Sequence, residues 1–218
     1  MPNNENKIKL YKFRSLSSEQ DLARVADILL TGKFWFSRFW EMNDPMEGLY
    51  LRGEDIKDNI VSKIYEDKLN TVTCSFSKEK ALNDPSMWGY YANGFKGLAI
   101  EVEISTNDPC YEEDFKCMNY DDELMRQNDA NGAVREILSR KLKCWEHEAE
   151  IRVFRESDSE TEKAFKVGKI TGVIFGASYT KTFKNPDKYG RRKMMITYNC
   201  QVAYLKELAR SKQIKIKT

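Results

Sequence analysis

With 218 residues, 41% hydrophobic and 32% charged, the chain is long enough to bury a core as one globular domain without disulfides or a structural metal. A single histidine, His147, excludes His-rich zinc sites, two-His metal sites and paired-His ribonuclease chemistry. The net charge of +2 hides an asymmetry: residues 181–218 hold 11 Lys/Arg against 2 Asp/Glu, and the first 180 hold 25 against 32. A basic end of this kind either binds nucleic acid or is a solvated face. Five cysteines form no C-x-x-C pair, and neither a signal-peptide core nor a membrane span is evident. The expectation is a reduced, cytoplasmic protein with no membrane partner.

Residues 1–7 are polar and predict a frayed start. Ile8 to Arg14 alternates as a first strand, with Lys12 and Arg14 on one face. A helix follows, with Ser17 and Gln20 at capping-box spacing and Gly32 as its stop. Its stripe is Leu22, Val25, Ala26, Leu29 and Leu30. Lys33 to Ser37 reads as an aromatic strand. After a loop through Asn43-Asp44-Pro45, residues 54–68 read as a charged helix with Ile56, Ile60, Val61 and Ile64 inward. Thr71 to Ser77 is a strand with Thr73, Ser75 and Ser77 on one face. Asn83-Asp84-Pro85 opens a short helix that Asn93-Gly94 closes.

Residues 97–104 are a strand. Residues 105–121 are irregular around a short strand at Cys117–Tyr120, and Glu123 to Lys143 reads as mostly helical. Strand 149–155 follows, with Glu148, Glu150 and Arg152 on a polar face and Ala149, Ile151 and Val153 on a dry one. Gly172 to Gly176 is a buried strand, and residues 181–195 are basic and helical. Tyr198–Leu205 and Gln213–Lys217 are read as closing strands. Strands outnumber helices without regular βαβ alternation, which predicts an α+β fold with largely antiparallel sheets. No G-x-G-x-x-G or Walker A loop is present.

Three strands thus carry, in order, cations (Lys12, Arg14), hydroxyls (Ser75, Ser77) and carboxylates (Glu148, Glu150). Such groups suit a ligand with phosphates and sugar hydroxyls. Arginine takes a phosphate bidentately, serines bond sugar oxygens, and a carboxylate stabilises positive charge developing at an anomeric carbon. Two carboxylates held this close raise the cost of ionising each other. Arg152, on the same face, is an alternative cation for the site. Each set also has a structural reading as a solvated or internally paired strand face.

The segments LYKFRSL, NDPMEG, CSFS, MWGYYANGFKGLAIE and WEHEAEIR resemble the bacterial family catalogued as domain of unknown function 2971, over about Leu10 to Gly176. More remotely, an Arg strand, a Ser-x-Ser strand and a Glu-x-Glu strand, in that order, are similar to the Arg–Ser–Glu class of ADP-ribosyltransferases. That likeness implies two packed, largely antiparallel sheets flanked by helices, with NAD as substrate. Arg14 or Lys12 would then hold NAD phosphate or ribose, and Ser75 would steady the cleft and the glutamate. Glu150 would contact the nicotinamide ribose, and Glu148 would orient the acceptor. Trp88, Tyr90 or Tyr91 would stack on nicotinamide or adenine. Phe76 departs from the likeness, since that class commonly has Thr between its serines.

The expected function is ADP-ribosyl transfer to a protein or nucleic-acid acceptor, in a toxin or phage-defence setting. The alternatives are an NAD glycohydrolase, a nucleic-acid-acting protein using the basic end, and a non-catalytic partner module.

Overall fold

The computed structural model describes residues 6–176, apart from 45, 110, 129, 130, 160 and 162, together with residues 191–217, of which 191–196 are described as backbone alone. In chain order the first elements are β1 (Lys7–Ser15), α1 (Glu19–Thr31), β2 (Lys33–Trp35), β3 (Leu51–Arg52), α2 (Asp58–Asn70), β4 (Thr71–Ser77), α3 (Pro85–Tyr91) and β5 (Gly97–Ser105). Next come α4 (Tyr111–Asp114), β6 (Phe115–Cys117), β7 (Asn119–Tyr120), β8 (Arg126–Gln127), α5 (Ala133–Ile137), β9 (Arg140–Lys141) and β10 (Glu150–Glu156). The last are β11 (Ala164–Lys166), β12 (Lys169–Phe175), α6 (Arg191–Ser211) and β13 (Lys215–Lys217). The chain is mixed α+β and divides into two compact units, each built from separated segments.

The first unit takes residues 34–77 and 106–165. Its main strands run β4–β10–β6, all antiparallel, with Glu150 opposite Ser77 and Arg152 opposite Ser75. Short parallel pairs β3–β8 and β7–β9 accompany them. Helices α2 and α5 pack together, and Ile56, Ile64, Ala133, Val134, Ile137, Leu138 and Phe154 form the core there. A turn leads into Glu47: the Asp44 carboxylate accepts the Met46 N–H at 2.9 Å, and the Glu47 N–H donates to the Asp44 carbonyl. That turn presents Glu47 to the interior.

The second unit takes residues 7–33, 78–105 and 166–218. Its strands run β13–β12–β5–β1, with β12–β13 parallel and the rest antiparallel. Helix α1 starts where the Ser18 hydroxyl accepts the Asp21 N–H at 3.0 Å, one residue after the expected cap. It stops at Gly32, whose φ of 70° only glycine adopts cheaply. Helix α6 packs against α1 and buries Tyr198, Leu205 and Ala209. The Tyr198 hydroxyl lies 3.3 Å from the carbonyl oxygens of Gly97 and Gly176.

Several local expectations need correction. Residues 123–143 are not one helix: Gly132, at φ 67°, admits only the five-residue α5, and β8 and β9 flank it. Tyr198–Leu205 is not a strand, because buried Tyr198, Gln201, Leu205 and Ala209 follow helical spacing inside α6. Helix α2 begins at Asp58 rather than residue 54, with Ile56 buried ahead of it. Glu148 is not on the strand. It ends a 3₁₀ turn over Lys143–Glu148, and Ala149, at φ 46°, breaks the alternation. Nor does β10 have a solvated face, since Glu150 through Phe154 are all buried. Of the expected frayed start and the basic helix at 181–195, residues 1–5 and 181–190 lie outside the described residues.

Candidate functional site

The first unit carries a buried cluster of charge around β10. Arg152, 1% exposed, donates from Nε to Glu150 Oε1 at 2.9 Å, and its other nitrogens reach Glu47 and the Leu138 carbonyl. Lys141 Nζ sits 2.6 Å from Glu150 Oε2 and 2.5 Å from Glu148 Oε2, with the Trp145 ring centroid 5.8 Å away. The Ser75 hydroxyl adds a hydrogen bond to the Glu150 carboxylate across the β4–β10 pair. The Glu150 N–H donates to the Tyr120 hydroxyl at 2.8 Å. Three carboxylates (Glu47, Glu148, Glu150) therefore share two cations (Lys141, Arg152).

Burial alone would raise the Glu150 pKa. The Arg152 and Lys141 charges outweigh it and hold the carboxyl well below its usual range. Glu47 goes the other way: burial pushes it up, and Arg152 offsets only part of the rise. Lys141 is raised because the two glutamates overcome its own burial. Burial pushes the Tyr120 hydroxyl up to about 12. The outcome is an ionised carboxylate, Glu150, fixed in dry surroundings. Such a group stabilises an adjacent positive charge far better than it would in water. Both its oxygens are engaged, so a sugar hydroxyl can reach Oε2 only by displacing Lys141, which keeps Glu148 as its partner.

The structure brings Ser75, Glu148 and Glu150 together and places Ser77 buried opposite Glu150. Lys12, Arg14, Trp88, Tyr90 and Tyr91 belong to the second unit. Lys12 and Arg14 are half-buried on β1, opposite Ile100 and Leu98. Trp88 is 5% exposed. It packs edge-on to Phe13 at 5.1 Å, stacks on Phe95 at 5.5 Å, and donates from its indole N–H to the Leu82 carbonyl. Tyr90 is 71% exposed and Tyr91 half-buried, their rings edge to face.

A second buried carboxylate, Glu101 on β5, accepts from the Thr171 hydroxyl at 2.7 Å and the Tyr11 hydroxyl at 3.1 Å, and also pairs with Lys217. Burial would raise its pKa, but these partners hold it low.

Sequence reasoning missed Lys141, Glu47 and Tyr120. Lys141 lay near the end of the segment from Glu123 to Lys143, expected to be mostly helical. Glu47 had one signal, its place three residues after Asp44 in a tight turn. No protein-family model matches the chain, and neither a curated protein nor a solved structure does. Among the described residues no helix is long and apolar enough to cross a membrane.

Proposed function

We propose that the chain is an NAD-consuming enzyme of the Arg–Ser–Glu ADP-ribosyltransferase type, working in the cytoplasm, with Glu150 as its catalytic carboxylate. The observation that carries this reading is the Ser75–Glu150 hydrogen bond, which joins the serine strand to the glutamate strand and orients a carboxylate held ionised by Arg152 and Lys141. The resemblance to domain of unknown function 2971, the ADP-ribosyltransferase-like packing of two sheets, and a toxin or phage-defence role belong to the same proposal.

In the proposed reaction, the nicotinamide–ribose C–N bond breaks and its electron pair leaves with nicotinamide. Glu150 accepts a ribose hydroxyl in place of Lys141 and stabilises the oxocarbenium-like centre. A protein or nucleic-acid nucleophile, oriented by Glu148, then bonds to the anomeric carbon and gives up its proton to solvent water. Water as acceptor makes the same site an NAD glycohydrolase.

A second reading has its own support. Glu150 is 3% exposed and both its oxygens are in ion pairs, as in a network that only fixes a fold. In that case the chain is an inert partner module. Nicotinamide release from NAD, assayed with candidate acceptors, separates the two. The enzyme reading expects release, thermal stabilisation by NAD, and loss of turnover in Glu150→Gln with NAD binding retained. Absence of both release and NAD-dependent stabilisation eliminates it.

A further inference from the structure

Four lysines and arginines of the first unit illustrate how it treats buried cations. Arg152 holds two carboxylates, Lys141 holds two, and Lys163 pairs with Glu41 at 2.7 Å. Lys68, near the end of α2, is 7% exposed and has no carboxylate within ion-pair distance among the described residues. Its ammonium donates to the Gly48 carbonyl at 2.8 Å and lies 4.3 Å from the Phe39 ring centroid and 5.9 Å from that of Tyr50. A carbonyl and two ring faces supply only part of the negative potential that a buried ammonium needs. Burial accordingly lowers the Lys68 pKa.

The same lysine lines an open groove of about 460 Å³, together with Tyr50, Val61, Ser62, Tyr65 and Glu66. Val61, Tyr65 and Lys68 recur at helical spacing on one side of α2, so the helix itself forms the floor. The groove is polarised, with its cation buried and its one carboxylate, Glu66, exposed. Two tyrosines, Tyr50 and Tyr65, are among its lining residues, with Ser62 beside them on α2.

We infer that this groove is a binding site for a small aromatic oxyanion, a carboxylate or a phosphate monoester, whose charge is neutralised by Lys68 and whose ring lies between Tyr50 and Tyr65. The anionic end enters toward the buried ammonium and the uncharged ring faces outward beside Glu66. A cationic ligand is repelled by Lys68, and a neutral one leaves the ammonium uncompensated. The site is separate in chemistry from the Glu150 cluster, and its test does not depend on NAD turnover.

The test titrates the full chain with benzoate and phenyl phosphate, against benzyl alcohol and benzylamine, by calorimetry. The two anions are expected to bind with a Kd of about 1 mM or tighter. Benzyl alcohol and benzylamine should bind at least tenfold more weakly. Lys68→Met should erase the preference for anions, and Lys68→Arg should keep it. Tyr65→Ala, a change at an exposed position, tests the site without touching the buried charge and should weaken both anions severalfold. Affinity for the anions should fall as pH rises through the lowered Lys68 pKa. Equal binding of benzyl alcohol, undiminished anion binding in Lys68→Met or Tyr65→Ala, or no saturable binding of either anion overturns the inference.

Discussion

Replacing Arg152 with methionine tests the charge cluster most directly. The guanidinium is 1% exposed and serves both Glu47 and Glu150. Once it is gone, Glu150 retains Lys141 and Ser75, whereas Glu47 loses the only ion-pair partner it has among the described residues. A buried carboxylate with no cation takes up a proton. From a reference pKa of about 4.3, protonation at pH 7 costs at most about 3.7 kcal/mol, at 1.36 kcal/mol per unit, and the parent already bears part of this because its own Glu47 is raised. That agrees with the roughly 3–5 kcal/mol lost when one partner of a buried pair is removed. For a chain of this size it corresponds to a fall in Tm of about 6–20 °C.

The pH dependence carries the sharper signature. In the variant the folded-state pKa of Glu47 lies above its unfolded value, so the fold binds the extra proton. The deficit relative to the parent should therefore shrink by up to about 1.4 kcal/mol per pH unit below 7, until pH reaches the raised pKa that Glu47 already has in the parent. Urea denaturation of both proteins at about pH 7 and about pH 5 reads this out. Adding Glu47→Gln to Arg152→Met should recover more than half of the loss. A loss below about 1 kcal/mol, or a deficit that does not change with pH, would refute the account.

Three further outcomes are expected. The parent protein should lose stability in acid: Glu150, Glu101 and Glu41 all have depressed folded pKa values, so the stability they confer is present above the unfolded value of about 4.3 and disappears as pH falls through the folded ones, against an opposite contribution from Glu47. Denaturation midpoints taken across that range measure it, and a midpoint that rises as pH falls contradicts it. Trp88→Ala should cost about 3–5 kcal/mol, since the indole fills a buried space against Phe13 and Phe95; a near-neutral change would mean that the ring does not pack there. Gly48→Ala should cost about 1–2 kcal/mol or more, because φ is 73° and the new Cβ meets Lys68 Nζ and Leu138 Cδ2 at 3.2 Å; unchanged thermal stability would show that the turn relaxes freely.

Local signals with a single physical meaning were legible in the sequence. Asp84-Pro85 opens α3 as expected, and the Asp84 carboxylate accepts the Ser86 N–H. Gly32 ends α1, and the alternation from Thr71 to Ser77 marks β4. The failures had physical causes. Alternation from Glu148 looked like a strand, but Ala149 turns into the left-handed region and places Glu148 on a 3₁₀ turn instead. Both glutamates nonetheless reach one ammonium, so their proximity arises from tertiary structure rather than strand period. The balancing charges, Lys141 and Glu47, come from segments that look like surface, because nothing local distinguishes a lysine that will be buried from one that will not. Residues 198–205 satisfy both a two-residue and a 3.6-residue period, and burial of Tyr198, Gln201 and Leu205 on one side of α6 goes with the helical one.

The interleaving of the two units has a consequence for how the protein is made. The first unit has all its segments once Phe165 has been added. The second then has β1 and β5, while β12, α6 and β13 remain to be synthesised. At about 5–20 residues per second, residues 166–217 take roughly 3–10 s to appear. During that interval the edge of β5 that will receive β12 has no strand beside it, on a strand whose residues 97–102 are all buried in the finished protein. An apolar strand edge left open for seconds is a template for pairing with another chain. Yield should therefore depend on the speed and integrity of synthesis past Phe165, and chains stopped near that point should accumulate as aggregates even though every residue of the Glu150 cluster is already in place.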